Sequence, residues 1–285
     1  MKEGYVDIKH GDMYYKVLGK GEPILFIHGG PGLVHNYFLP YFLELVNKGY
    51  QLIFYDQRGN GKSYKAFDES NINLNEFTLD IERLRKHLKI DKLNIVGHSM
   101  GGFFALDYAK KFNKRVKKIT LCNCIPIDIA NLGIMNTVIN ERIKFYINEI
   151  SEIVNSQKFK DNDTTTIIKY LTLINSVNFY DKSRSNELFK DMEISPYFMK
   201  NFKKINKKLL NEYINIIDKY NLDDIHIPTL IIHSEFDFIS IESSEYINYK
   251  LQNSNIKFIK KCGHYSFIEK TEEVLESLDE FLLKY

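Results

Sequence analysis

The residues with the most chemistry in this sequence are Gly97-His98-Ser99-Met100-Gly101, a serine set between small neighbours. An apolar run at 93–96 precedes them and a helical pattern at 103–112 follows. A sharp strand-to-helix turn at that point strains the serine backbone, exposes Oγ and sets it at a helix N-terminus, whose partial positive charge suits a developing anion. A serine hydroxyl is a poor nucleophile until a base takes its proton. Where the nucleophile sits on such a turn, an acid and then a histidine follow it along the chain. His264 stands in Lys261-Cys262-Gly263-His264-Tyr265, after an apolar run at 256–259. Asp237 ends Ser234-Glu235-Phe236-Asp237, after another such run at 228–233. Both fall at carboxyl ends of expected strands, where open α/β sheets build their sites. The expected set is therefore Ser99 as nucleophile, His264 as general base and Asp237 as the acid that orients it. Glu235 and Asp128 compete for the acid's place, while His10, His35, His87 and His226 read as solvated.

A second glycine-rich run, His28-Gly29-Gly30-Pro31-Gly32, supplies what acyl transfer also needs. A tetrahedral intermediate requires preorganised N–H donors aimed at its oxyanion. One is expected from Met100, the residue after the nucleophile, and the other from Gly30, with Gly29 next in order. His28 is expected to tie the loop together by hydrogen bonds rather than to move protons. In a third run, Asp56-Gln57-Arg58-Gly59-Asn60-Gly61-Lys62-Ser63, Asp56 and Arg58 read as loop braces and stay outside the catalytic set.

These loops need a scaffold, and the hydrophobic pattern provides one. Alternating runs at 5–10 and 13–18 flank Gly11-Asp12 and read as a hairpin. Continuous apolar runs at 23–27, 50–55, 93–96 and 118–122 read as strands buried on both faces of a sheet. Helices expected at 36–48, 74–89 and 103–112 alternate with them, the signature of a parallel sheet covered on both sides. From about 126 to 225 the periodicity is helical. Strands at 228–233 and 256–259 and helices at 241–251 and 272–283 then restore the first pattern. The expected organisation is an α/β core at 1–125 and 226–285, with a helical cap inserted at 126–225.

Together the three motifs resemble those of the α/β-hydrolase superfamily, and within it the proline iminopeptidase family. HGGPG at 28–32 and DQRGNGKS at 56–63 are similar to that family's paired signatures. The resemblance implies an α/β class fold with a mostly parallel eight-stranded sheet, flanking helices and an inserted cap. It maps the triad to Ser99, Asp237 and His264 and the oxyanion donors to Gly30 and Met100. It also implies release of an N-terminal residue, often proline, from short peptides, without metal or cofactor. The nucleophile run GHSMGG departs from the residues that family's aminopeptidases often carry around the serine and is similar to that of many esterases and lipases of the fold. An aminopeptidase must bind a free ammonium, which this family does with cap carboxylates. The insertion offers Glu141, Glu149, Glu152, Glu187, Glu193 and Glu212, and nothing in their spacing selects one.

The remaining composition narrows partners. With 285 residues, 44% of them hydrophobic, the chain can bury a large core. A formal net charge of +2 gives no global field for nucleic acid, and the lysines at 203, 204, 207 and 208 read as a solvated helix face. Three cysteines, Cys122, Cys124 and Cys262, do not make a disulfide framework, and Cys122 and Cys124 at period two are expected on one strand face. No run reaches the ~20 apolar residues of a bilayer span, and the N-terminus lacks the apolar segment of a signal peptide. The expectation is a cytoplasmic protein acting on a small-molecule or short-peptide substrate. A carboxylesterase with the same triad is the alternative, and a non-catalytic binding protein on the same fold a remote one.

Overall fold

The computed structural model describes residues 1–30 and 32–284; Pro31 of the second glycine-rich run lies outside the described residues. Eight strands, β1 (Lys2–Ile8), β2 (Gly11–Leu18), β3 (Glu22–Ile27), β4 (Tyr50–Tyr55), β5 (Leu93–His98), β6 (Val116–Cys122), β7 (Thr229–Ser234) and β8 (Ser254–Ile259), form one sheet in the order β1-β2-β4-β3-β5-β6-β7-β8. The hairpin β1–β2 and the β2–β4 pair are antiparallel; every other pair is parallel. Every residue of β5 and β7 is buried, which is why they read as unbroken apolar runs.

The chain lays β4 on one side of β3, then crosses back to place β5 on the other. Such a reversal opens a crevice at the carboxyl ends of the strands. Ile27 at the end of β3 lies opposite Gly97 of β5, so the two glycine-rich loops leave the sheet side by side. Beyond β5, the neighbouring strands β6, β7 and β8 deliver Asn123, Asp237 and His264 in that order.

Helices α1 (Leu74–His87), α2 (Met100–Lys111), α3 (Ile129–Ile143), α4 (Ile147–Asn155), α5 (Thr164–Ser176), α6 (Phe198–Ile217), α7 (Ile241–Lys250) and α8 (Thr271–Lys284) flank and cover the sheet, with shorter turns between them. Asn73 caps α1 by accepting the Glu76 N–H, and Asp128 caps α3 through the Asn131 N–H. The inserted helices share the two apolar clusters of the sheet. Leu132, Ile205, Leu209 and Tyr213 join the one that holds α1 and α2, and Ile153, Ile167 and Phe198 join the one that holds α8. Buried Ile205, Leu209, Tyr213 and Ile217 repeat every four residues along α6, and its lysines face outward.

Three local expectations give way. The hairpin turns at Lys9-His10, not Gly11-Asp12, because Ile8 pairs with Gly11 and His10 takes the positive φ of 66°. The helix expected at 36–48 is a turn at His35–Phe38 and a short helix at Glu44–Asn47. Pro40 between them lacks an N–H and bars helical geometry from the residue before it. Cys122 and Cys124 lie in opposite core clusters, because β6 ends at Cys122 and Asn123 (φ 49°) reverses the alternation. No described helix is long and apolar enough to cross a membrane.

Candidate active site

Ser99 occupies the turn between β5 and α2 with φ 54° and ψ −123°. That region costs a non-glycine residue about 1–3 kcal/mol. The packing around it leaves no alternative to glycine at its neighbours. A Cβ at Gly97 would run into the Gly101 carbonyl, one at Gly101 into the Ile27 carbonyl and one at Gly102 into the Cys124 thiol. Ser99 and His264 line one cavity of about 430 Å³, together with Gly30, Leu33, Phe202 and Phe238. Among the described residues no hydrogen bond joins Ser99 Oγ to the His264 ring. A smaller chamber of about 170 Å³ shares Gly30, Ser99 and Phe238 and is otherwise mainly apolar, lined by Met100, Ile125, Leu132 and Met135 among others.

His264 Nδ1 lies 2.9 Å from Asp237 Oδ1, and both side chains are buried. Burial pushes the Asp237 carboxyl up, but the charge and hydrogen bond of His264, the charge of His233 and the Ile239 N–H hold it below its ordinary value. It is an anion against the imidazole, and the shared contact makes Nδ1 the protonated nitrogen and leaves Nε2 as the basic one. The competing acids are committed elsewhere. Glu235 accepts the Lys261 N–H at 2.7 Å, and Asp128 caps α3.

Asn123 is a residue that motif reading did not find. Its Nδ2 donates to Asp237 Oδ2 at 2.7 Å and to Ser234 Oγ at 3.0 Å, and its Oδ1 accepts from Ser266 Oγ at 2.8 Å. One side chain thus joins the loops after β6, β7 and β8. Its only sequence signal is an asparagine immediately after a strand, where a left-handed residue is tolerated. Arg142 on α3 reaches the same loop: it donates to the Asp237 carbonyl at 3.0 Å and to the Val177 carbonyl at 3.3 Å, and lies 4.2 Å from the Phe236 ring centroid.

The donor positions have a matching architecture. Met100 opens α2, so its N–H has no partner within the helix. Gly29 donates its N–H to Tyr37 Oη at 2.8 Å. It is therefore engaged, whereas Gly30, at φ 120°, borders both chambers. Tyr37 Oη lies 2.8 Å from His98 Nδ1, and His98 Nε2 lies 3.0 Å from the His264 carbonyl. The carbonyl can only accept, so Nε2 carries the proton and Nδ1 accepts from the tyrosine. This chain of bonds ties the glycine loop, the serine turn and the histidine loop to one another. Burial and the nearby His264 drive His98 well below the usual histidine value, despite its hydrogen bond to the His264 carbonyl, and keep it neutral.

His28 and the 56–63 run form the brace expected of them. His28 Nε2 accepts the Gln57 N–H at 3.0 Å, its Nδ1 lies 2.7 Å from the Gly29 carbonyl, and burial lowers its pKa to about 4. Asp56 accepts from the Lys62 N–H at 2.9 Å, and Arg58 grips Asp80 with two 2.7 Å bonds. His35, expected to be solvated, is buried with Nδ1 2.7 Å from Asp56 Oδ1. Its backbone N–H also donates to Asp56 Oδ1 at 3.0 Å, so the Asp56 carboxylate draws the residue under the loop. Among the described residues no cluster of three or more His, Cys, Asp or Glu is placed to hold a metal ion.

Residues 22–271 match the family defined by the alpha/beta hydrolase fold. The chain belongs to this alpha/beta hydrolase family. Over 307 aligned residues this alpha/beta hydrolase is 25% identical to a proline iminopeptidase of Saccharolobus solfataricus, covering 99% of this chain and 92% of that protein. It superimposes on an esterase from Exiguobacterium antarcticum with a TM-score of 0.72 at 20% identity, covering 98% and 99% of the two chains. A proline iminopeptidase structure from Mycobacterium smegmatis gives 0.72 at 16% identity, covering 99% and 98%. At these identities the structural likenesses establish the fold.

Proposed function

We propose that this hydrolase acts through a Ser99–His264–Asp237 triad and an acyl-enzyme on small acyl substrates. The observation that carries the reading is the strained Ser99 turn facing the same cavity as a histidine whose far nitrogen is held by a buried carboxylate. Ser99 Oγ attacks the substrate carbonyl as His264 Nε2 takes its proton. The Gly30 and Met100 N–H groups receive the oxyanion. His264 then returns the proton to the departing amine or alcohol, and water, activated the same way, releases the acid and restores Ser99.

Sequence relatives named proline iminopeptidase support removal of N-terminal residues from short peptides. Hydrolysis of small esters is the second reading, favoured by the apolar chamber beside Ser99 and by a cavity lined with neutral carboxamides. The test is labelling by a fluorophosphonate probe beside hydrolysis of a nitrophenyl ester and a proline arylamide. Wild-type protein should label at Ser99, and Ser99→Ala should lose labelling and at least about 10⁴-fold in kcat. A Ser99→Ala protein that retains wild-type turnover would overturn the triad.

A further inference from the structure

We infer that the site selects acyl substrates whose group beside the scissile carbonyl is uncharged, an N-acylated amine rather than a free one, recognised by Asn178 and Asn206. This rests on the serine-hydrolase reading above, names its substrate class, and favours ester hydrolysis over removal of N-terminal residues.

A free α-amino group has a pKa near 8 and is mostly ammonium at neutral pH. It offers donors only, and burying it without an opposite charge is costly. The described lining of the larger cavity contains no carboxylate; its polar side chains are Ser99, His264, Tyr265 and the carboxamides of Asn175, Asn178 and Asn206. The glutamates of the inserted segment are elsewhere. Glu141 pairs with Lys144, Glu149 with Lys169 and Glu187 with Arg184. Glu212 accepts the Leu74 N–H, and Glu152 and Glu193 are exposed. Asp237 is held by His264, Asn123 and the Ile239 N–H.

The carboxamides differ in what they have left to give. Asn175 is used internally: it accepts from Tyr265 Oη at 2.6 Å and donates to the Leu171 carbonyl at 2.8 Å. Asn178 is only 5% exposed; its Oδ1 is closed off from the cavity, and its Nδ2 makes no hydrogen bond among the described residues. Its position is set against the base, because its backbone carbonyl accepts the His264 N–H at 2.8 Å. Gly263 makes that approach possible, since a Cβ there would strike the same carbonyl. Asn206 on α6 borders both chambers with Gly30, Ser99 and Phe238, and its side chain makes no hydrogen bond among the described residues. An N-acyl amide brings one N–H donor and one C=O acceptor. The Asn206 carboxamide offers an acceptor and a donor to match them, and the Asn178 Nδ2 a second donor, whereas an ammonium leaves both donors without an acceptor.

The experiment compares methyl esters of alanine and N-acetylalanine, with the corresponding proline pair alongside, at pH 6.5 and pH 9. Fluorophosphonate titration counts the active protein. The N-acetyl ester should be favoured in kcat/KM by about tenfold or more at pH 6.5. The gap should narrow at pH 9, where the free amine loses its charge. Asn178→Asp and Asn206→Asp, made separately, should each shift the preference toward the free amine by about tenfold, as a carboxylate would pair with ammonium. A titratable wild-type enzyme that prefers the free amine at pH 6.5 would overturn this inference and leave the hydrolase reading intact. So would two folded aspartate variants with unchanged preference. Protein that neither labels nor cleaves any ester would instead defeat the hydrolase reading.

Discussion

Replacing Asn123 separates the acid's support from the fold's general stability. Its side chain makes one bond to a carboxylate and two to hydroxyls, all in the buried wall behind His264. A hydrogen bond to a charged group contributes about 1.5–3 kcal/mol and a neutral one about 0.5–1.5 kcal/mol. Partial rehydration offsets some of this, so Asn123→Gly should lose about 3 kcal/mol, seen as a fall in Tm of roughly 6 °C for a chain of this size. Glycine tolerates the φ of 49°. Asn123→Ala loses the same bonds and adds about 1–2 kcal/mol of left-handed strain. The two variants should therefore differ in stability and agree in catalysis. Loss of the bond to Asp237 should lower kcat by roughly 10–100-fold with KM little changed, since about 1.4 kcal/mol is tenfold. Steady-state kinetics on a nitrophenyl ester with thermal melts of both variants is the assay. If kcat stays at the wild-type level while Tm falls, Asn123 braces the loops without orienting the acid, and the reasoning is refuted.

Ser99→Gly should be inactive yet more thermostable than Ser99→Ala by about 1 kcal/mol, because only glycine adopts φ 54° and ψ −123° without strain; equal melting temperatures would deny the strain. Arg142→Ala should cut kcat/KM by roughly tenfold with a modest change in Tm, because its contacts hold the Asp237 carbonyl and the inserted segment together; a purely structural role would move Tm and leave kcat alone. Stability should fall with acidity below about pH 6.5. His28 and His98 are depressed by burial in the folded chain, so the unfolded chain takes up protons first as pH drops. For His28, with a folded value of about 4, that loss amounts to about 3 kcal/mol by pH 4. Urea unfolding at pH 7 and pH 5 measures it, and equal stabilities would contradict the assignment of neutral histidines.

Runs of apolar residues and the positions of glycine carried most of what could be read directly. Gly97, Gly101 and Gly102 announced the serine turn because only hydrogen fits against the Gly101 carbonyl, the Ile27 carbonyl and the Cys124 thiol. Strand order along the chain singled out Asp237 and His264, since a loop at the carboxyl end of a parallel strand can open only onto one edge of the sheet. Pro40 was equally legible and was passed over, which misplaced the helix, whereas the burial of His35 against Asp56 is a tertiary contact that its local pattern does not record.

The sequence by itself determined the sheet class, the loops that reach its carboxyl edge and the residue types available there, because these follow from local periodicity and sterics. Only the tertiary structure decided which groups meet. Asn123, Tyr37, Arg142 and Asn178 come to the site from separate parts of the chain, and nothing in their local pattern records the partner each acquires. The charge of the cavity is likewise a tertiary property. Glutamates are plentiful in the inserted segment, and the packing of α3, α5 and α6 turns neutral side chains toward Ser99 while lysines, an arginine, a helix end and solvent take up those acids.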